Sequence, residues 1–355
     1  MQGMQMGMRR LSEVFRDLLR EKGIERVWPC TKFWKLSAMV AEGKAVVCRA
    51  ERCRISMDLS GVCENVRAQA CVIPAERCSN VLLDRRELMD RLAREGIDYP
   101  YVLVDCRYHN LHTDKELRRL RLQLKCTAGV VREFMWGERM VVTGKKFEEV
   151  EVPFYRSARD FFAEKNVDRV LLLDPNAEEV FGEKDRGERC YVIGGIVDLC
   201  GNKKGLTSRL GKELEREGVE VVSRKFVLRG DVVGVPDRIN SIAEILLRCV
   251  IDGQSLEDAI LAVQTPLVAR WRLRKELAKL SFRLDRKLGL PFPVRAVVKE
   301  DFEKLGWLNV GERDFYRECR KMGFVVVSSS FLDGFDIGNG IKSGETEHES
   351  GRKAR

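Results

Sequence analysis

Only three histidines occur in 355 residues, His109, His112 and His348. That scarcity removes whole classes of mechanism. A hydrolase triad has no GxSxG elbow to build on, and no HExxH pair is present to hold zinc on a helix. No apolar run is long enough to cross a membrane, and the opening MQGMQMGMRRLSE lacks the apolar core of a secretory leader, so no membrane partner and a cytoplasmic location are expected. Glycine is present, but not in the spacings that cradle phosphate. In VIGGIVDLCGNKKGLTSRLG, Gly194 and Gly195 are adjacent, and Gly201 and Gly205 follow too late for a dinucleotide fingerprint. A P-loop would need GK followed by Ser or Thr. Twelve cysteines are present, six of them between Cys30 and Cys78, yet only Cys48 and Cys53 are closely spaced and no second pair matches them. A zinc ribbon is thereby excluded and no metal is expected. Reduced thiols are the rule in cytosol, while disulfides occur inside hyperthermophiles, whose proteins are as charge-rich as this one; both readings stay open.

What remains is charge, carboxylates and backbone. Hydrophobic residues make up 44% and charged residues 34%, enough to bury a sizeable core divided over two or three domains. Residues 1–98 carry 18 basic against 14 acidic side chains, 99–262 carry 27 against 28, and 263–335 carry 15 against 9. A near-neutral centre with basic flanks suits a catalytic domain whose neighbours hold nucleic acid, because phosphate contacts supply most sequence-independent affinity.

The apolar spacing of Leu11, Val14, Phe15, Leu18 and Leu19 predicts an amphipathic helix stopped by Gly23. KAVVCRA and RISMDLS read as strands, Arg85 to Arg94 as a helix, and EGIDYP as a boundary, which makes 1–98 a small, Cys-rich α+β domain. From Tyr101 strands and helices alternate. YVLVD, DRVLLLDP and CYVIGGIVD are strands ending in Asp105, Asp174 and Asp198. TDKE at Thr113 to Glu116 has the form of a capping box and opens a helix to about Met135. LTSRLGKELEREG is a helix, VEVVSRKFVL follows it, and Pro236 stands near the start of another helix whose apolar face uses Ile239, Ile242, Ile245, Leu246 and Cys249. This pattern predicts a parallel α/β sheet with its functional groups at the carboxyl ends of the strands. RWRLRKELAKLSFRLDRKLG is expected to be one basic helix opening a mainly helical RNA-binding domain at 263–332, and 333–355 is expected to be a disordered tail. With so few histidines, the chemistry must rest on carboxylates, amides and backbone, which favours a cofactor that brings its own electrophile. His109 and His112 read as loop hydrogen-bonders rather than ligands.

Four segments, taken in order, carry a family resemblance: VDCRYHNLHTDKELRRLRLQL, LLLDPNAEEVF, VIGGIVDLCGNKKGLT and SRKFVLRGDVVGVPDRIN. They resemble the SPOUT superfamily of S-adenosylmethionine-dependent RNA methyltransferases, and within it the archaeal-type tRNA methyltransferases that modify N1 of the purine at position 9. The resemblance covers roughly residues 100–262. It implies an α/β fold in which a parallel-sheet SPOUT domain (99–262) carries a C-terminal trefoil knot, flanked by the small N-terminal and C-terminal domains. It also implies S-adenosyl-L-methionine as cofactor, tRNA as partner and a monomer. On that reading Leu173, Asp174, Gly194, Gly195, Leu228, Arg229, Val235 and Pro236 hold the donor, the glycine pair clearing space for it. Asp198 matches the acid favoured as general base or substrate positioner, Asp105 and Asp237 match two further pocket acids, and Gln123 matches a pocket glutamine. Capping is the alternative role for Asp105 and Asp237. For phosphate contacts we expect Lys203, Lys204, Arg118, Arg119, Arg121, Arg270, Arg272, Arg274, Lys275 and Lys279, although a charge run is commonly a solvated helix face. Two other readings are a SPOUT methyltransferase with another RNA target and a non-catalytic RNA-binding protein.

Overall fold

A computed structural model of the chain describes residues 8–50 and 53–333, so the tail expected at 333–355 lies, from residue 334 on, outside the described residues. The chain divides after Val268 into two compact units. Residues 1–98 and 99–262, read above as separate modules, share the first unit, each with its own sheet.

Helix α1 (Leu11–Glu21) forms where the apolar spacing demands it, burying Leu11, Val14, Phe15, Leu18 and Leu19, and ends before Gly23 at φ 69°. With α2 (Phe33–Ala41) and α3 (Arg85–Arg94) it accompanies a sheet of β1 (Arg26–Trp28), β2 (Val46–Arg49), β3 (Ser56–Asp58), β4 (Cys63–Glu64), β5 (Ala70–Ile73) and β6 (Val81–Leu83), ordered β4-β3-β1-β5-β2-β6. Cys48 and Cys78 form a disulfide across a sequence separation of 30, while the other ten cysteines are thiols. Buried Glu42 ties this part to the next sheet's helices: its carboxylate accepts from Arg132 Nε at 2.6 Å and from the Gly137 amide at 2.8 Å.

The second sheet is parallel throughout. It consists of β7 (Tyr101–Asp105), β8 (Met140–Thr143), β9 (Phe154–Tyr155), β10 (Arg169–Leu173), β11 (Cys190–Gly194) and β12 (Glu220–Arg224), in the order β12-β10-β11-β7-β8-β9. The period of two along a strand explains the near-continuous apolar runs, since both faces are covered. Leu103, Val170, Leu172 and Val192 pack with Phe161 and Phe162 of α5 (Ala158–Lys165) and with Leu210 and Leu214 of α6 (Leu206–Arg216). Buried Val102, Val104, Leu171 and Tyr191 alternate with these and so project to the opposite face, where α7 (Ile239–Val250) packs on β11 and on α4 (Asp114–Phe134). Helix α8 (Leu256–Val263) follows. Sequence reading passed over β1, β4, β5, β6, β8, β9, α2, α5 and α8, which are short. Helix α7 starts three residues beyond Pro236, at Ile239.

Helix α9 (Pro266–Leu280) leads into the second unit, where the single basic helix expected through Gly289 does not exist. It breaks at Ser281. Phe282–Arg283 form β13, which pairs antiparallel with Ala296 and Arg295 of β14 (Arg295–Val298), and α10 (Leu284–Leu288) resumes with Asp285 holding Arg283 and the Val294 amide. Backbone pairing with a strand nearby in the fold outweighs the local helical pattern. Helix α11 (Glu312–Lys321), β15 (Phe324–Val327), parallel to β14, and α12 (Ser329–Asp333) complete this unit around Leu273, Leu277, Val297 and Phe315.

Replacing Cys48 and Cys78 together by serine should lower stability by about 3–4 kcal/mol, the loop-closure entropy of a ring of this size. Denaturant melts with and without reductant measure it; identical midpoints for wild type and the double variant would exclude the crosslink.

Candidate functional site

Over the carboxyl ends of β10, β11 and β12 lies a cavity of about 520 Å³, within the range of small-ligand sites. Its walls include Leu173 and Asp174 from β10, Ile193 to Leu199 from β11 (Gly195 excepted), and Arg224 to Phe226 from β12. Val232, Val235, Pro236, Asp237 and Arg238 close one side, and Arg119 and Gln123 of α4 and Thr207 of α6 contribute from the helices. It mixes aliphatic side chains with a few polar groups. Beyond the strand ends β7 and β11 stay paired, the Gly195 amide donating to the Asp105 carbonyl at 2.7 Å.

Of the four expected catalytic side chains, three line the cavity. Asp105 does not. It is 1% exposed, and its carboxylate is taken by Arg107, through the backbone amide (2.9 Å) and the guanidinium (2.8 and 3.0 Å), while Arg107 also reaches Glu217. Its role is to anchor the turn after β7. Asp198 lines the cavity, but its carboxylate is filled from behind by four backbone amides: Oδ1 accepts from Cys200, Gly201 and Asn202 and Oδ2 from Lys203, at 2.7 to 3.2 Å. These amides, Lys203 foremost, hold its carboxyl below the usual carboxylate range. Such an acid organises a loop better than it takes up a proton. Asp237 is exposed on the wall and, among the described residues, has no hydrogen-bond or ion-pair partner. Gln123 Oε1 accepts from the Ile239 amide at 2.9 Å, capping the first turn of α7. That bond assigns the amide orientation and leaves the two N–H donors of Gln123 beside the cavity.

The expected donor residues divide in the same way. Leu173, Asp174, Gly194, Val235 and Pro236 line the cavity; Gly195, Leu228 and Arg229 do not. A Cβ on Gly195 would stand 2.5 Å from Cys106 Sγ and 2.9 Å from the Asp105 carbonyl oxygen, so this glycine is needed for close strand packing rather than for ligand space. Leu228 is buried in a tight turn with Asp231, and Arg229, at φ 48°, pairs with Glu257. Asp174 is buried and accepts from Ser208 Oγ at 2.6 Å and from the Asn176 amide at 2.9 Å, fixing α6 to the end of β10.

Several expected phosphate contacts are internal. Lys203 is 6% exposed, with Nζ 2.8 Å from Glu116 Oε1. Arg272 is 1% exposed, pairs with Glu276 at 2.7 Å and lies over the Trp307 ring. Arg274 pairs with Glu318, Lys279 with Glu276, Arg270 with Asp314 and Arg121 with Glu149, and Lys275 is half-buried. Within α9, Glu276 takes Arg272 and Lys279, while Asp314 and Glu318 of α11 take Arg270 and Arg274, partners that the helix's own sequence could not reveal. By contrast Arg118, Arg119, Lys204 and Arg238 are exposed and, among the described residues, without a partner.

Two residues missed as site residues stand behind the cavity wall. Glu116, 0% exposed, closes the capping box with Thr113 and also accepts from the Leu199 amide at 3.0 Å and from Lys203 Nζ. The Leu199 amide first, then the Lys203 ammonium and Thr113, keep its carboxyl far below the usual range. His112 Nε2 accepts from the Val197 amide at 2.9 Å, which places the ring proton on Nδ1, 3.1 Å from the Tyr108 carbonyl. The TDKE signature marked Glu116 as a cap; nothing local signalled its second set of partners.

Against known proteins, a family model described as the N domain of tRNA (guanine(9)-/adenine(9)-N1)-methyltransferase matches residues 12–91. The chain is 37% identical over 341 residues to the tRNA (guanine(9)-/adenine(9)-N1)-methyltransferase of Thermococcus kodakarensis, covering 90% of each. It is 33% identical over 172 residues to the tRNA (adenine(9)-N1)-methyltransferase of Sulfolobus acidocaldarius, covering 47% of this chain and 56% of that protein. Among solved structures, the dual-specific Trm10 of Thermococcus kodakaraensis matches with a TM-score of 0.56 at 28% identity, over 70% of this chain and 99% of that one. Sulfolobus acidocaldarius Trm10 in complex with S-adenosylhomocysteine matches in fold with a TM-score of 0.60 at 21% identity, over 89% of this chain and 100% of that one.

Substituting Gly195 by alanine should destabilise the fold by about 1–3 kcal/mol through overpacking against Cys106 and Asp105. Urea unfolding checks this, and an unchanged midpoint would return Gly195 to the ligand-clearance role.

Proposed function

The chain belongs to the family of tRNA (guanine(9)-/adenine(9)-N1)-methyltransferases, and on that premise we propose how its cavity performs this S-adenosylmethionine-dependent methylation. The enzyme methylates N1 of the purine at position 9 of tRNA. The observation that carries the site assignment is the cavity itself: it lies at strand ends, is bordered by Gly194, and presents one unengaged carboxylate, Asp237, and one half-engaged amide, Gln123.

Leu173, Gly194, Val235 and Pro236 would hold the donor between main chain and aliphatic surface, with Asp174 fixing the loop beneath. A trefoil knot formed by the segment after β12 would bring the loops at 173–175, 194–199 and 224–238 to one place. Bound there, S-adenosylmethionine supplies an electrophilic methyl group on a sulfonium. The protein's remaining task is to orient the purine and manage one proton. Guanine N1 carries a proton that must leave, and Asp237, with its lone pairs unclaimed, is the group fit to accept it. Adenine N1 already offers a lone pair, so there the same carboxylate would orient the exocyclic amine and stabilise the cationic product. The free N–H pair of Gln123 would donate to acceptors on the purine edge. Asp198 would keep the loop in shape and so act through the donor's position.

Arg119 and Arg238 on the cavity wall, with exposed Arg118 and Lys204, all unpaired among the described residues, are the best-placed cations for tRNA phosphates. Residues 1–98 and 263–332 would serve as accessory tRNA-holding modules, with the enzyme acting in the cytoplasm as a monomer.

Methylation of two tRNA transcripts differing only in A or G at position 9, read by reverse-transcription stops, tests this reading. Asp237→Asn should reduce guanine methylation at least tenfold more than adenine methylation. Asp198→Ala should weaken both equally, through donor affinity. Equal losses for Asp237→Asn on the two transcripts would remove it as a base. Replacing Arg118 and Arg119 by alanine should lower the salt dependence of tRNA affinity by about one unit of slope per lost phosphate contact; an unaltered slope would place the RNA backbone elsewhere.

A further inference from the structure

Between Val197 and Lys203 almost every amide hydrogen has a side-chain acceptor within the fold. Val197 donates to His112, Leu199 to Glu116, and Cys200, Gly201, Asn202 and Lys203 to Asp198. Lys203 Nζ, on the same Glu116 oxygen, pins the far end. A trans peptide unit points its carbonyl opposite to its N–H. The carbonyls of Ile196 and Asp198 therefore face away from His112 and Glu116, which do not line the cavity, whereas Ile196 to Leu199 do. Neither carbonyl has a partner among the backbone bonds of the described residues. The positive ends of the Val197 and Leu199 amide dipoles are turned into the protein, toward buried His112 and Glu116. A cationic sulfonium or a methyl group carrying partial positive charge would meet the negative ends instead.

We propose that His112 and Glu116 are positioning residues of the donor site: from behind the wall they hold the 197–199 main chain so that its carbonyl edge, and not its amide edge, faces the methyl donor. The inference rests on the placement of the donor in this cavity. It distinguishes the segment from the phosphate-binding nests that glycine-rich loops usually form, in which the amides point to the ligand.

His112 gives the arrangement a readable signature. Its acceptor nitrogen must be unprotonated, because an imidazolium would set N–H against the Val197 N–H. Two charged groups face the ring: the Lys203 ammonium, which opposes protonation, and the Glu116 carboxylate, which favours it. Burial is the largest influence and holds the ring's pKa below the ordinary 6.5. When the loop opens, the ring regains its ordinary value. The closed loop, and donor affinity with it, is therefore fully present above about pH 6.5 and declines as pH falls below that.

The test is calorimetric binding of S-adenosylhomocysteine to the full chain between pH 5 and 8, with thermal melts alongside. Wild type should bind at least tenfold more weakly at pH 5 than at pH 7.5. His112→Gln, whose side-chain carbonyl can accept from the Val197 amide in place of Nε2, should keep near-wild affinity at pH 7.5 and lose the pH dependence. His112→Ala and Glu116→Ala should weaken binding at least tenfold at pH 7.5, while tRNA affinity of variants that still melt cooperatively stays within twofold. Persistence of the pH dependence in His112→Gln, or wild-type donor affinity in His112→Ala, overturns the proposal. Failure of the wild type to bind S-adenosylhomocysteine at any pH would instead overturn the donor-site reading beneath it.

Discussion

The arrangement of the site depends on a buried carboxylate with no unmet demand. Glu116 sits at the start of α4 with solvent excluded, and its two oxygens serve the Thr113 amide and hydroxyl on one side and the Leu199 amide and Lys203 ammonium on the other. Removing an ionised carboxylate from water is costly unless such partners replace the lost hydration. Here those partners belong to segments more than eighty residues apart in sequence, so satisfying the charge is the same event as docking the 197–203 loop onto the turn after β7. His112 adds the neighbouring amide, and Asp198 gathers the rest. One cavity wall is thereby fixed largely through its main-chain amides, with the Lys203 side chain pinning the far end of the loop.

This changes the division of labour among the acids. Three strand-end or loop aspartates that look alike in sequence have different surroundings. Asp105 is closed by Arg107, Asp198 by four amides, and Asp237, among the described residues, by nothing. A carboxylate's capacity to take a proton or orient a base depends on lone pairs left over after local bonding. By that measure Asp237 is the acid proposed to act on the purine, while the carboxylates of the other two are held within the fold. The same accounting applies to cations. On α9, Arg272 and Arg274 are engaged by Glu276 and Glu318, whereas Arg118 and Arg119 on α4 remain open. Net charge along the chain pointed to the basic C-terminal helix, whose cations are largely paired within the fold.

Much of the architecture was legible because it follows from periodicity. The alternation of YVLVD, VLLL and CYVIG with amphipathic helices required a parallel sheet covered on both faces, and α1, α3, α4 and α6 start or stop where caps and glycines direct. Five of the eight expected donor residues and three of the four expected catalytic ones line one cavity, since strand ends and the loops after them are recognisable locally. The misses have a common cause. The break at Ser281, the packing demand at Gly195 and the burial of Lys203 are each imposed by a partner distant in sequence, whose presence no local pattern announces.

By itself, then, the order of residues pointed to most of the longer elements and to polar groups at the carboxyl ends of the strands, because these follow from side-chain periodicity and inventory. Tertiary structure alone decided which of those polar groups retain free lone pairs or charge and which are engaged within the fold. Electrostatic and hydrogen-bond satisfaction depends on distance in space, and the pairs that matter here, Glu116 with Lys203 and His112 with Val197, become neighbours only once the chain is folded.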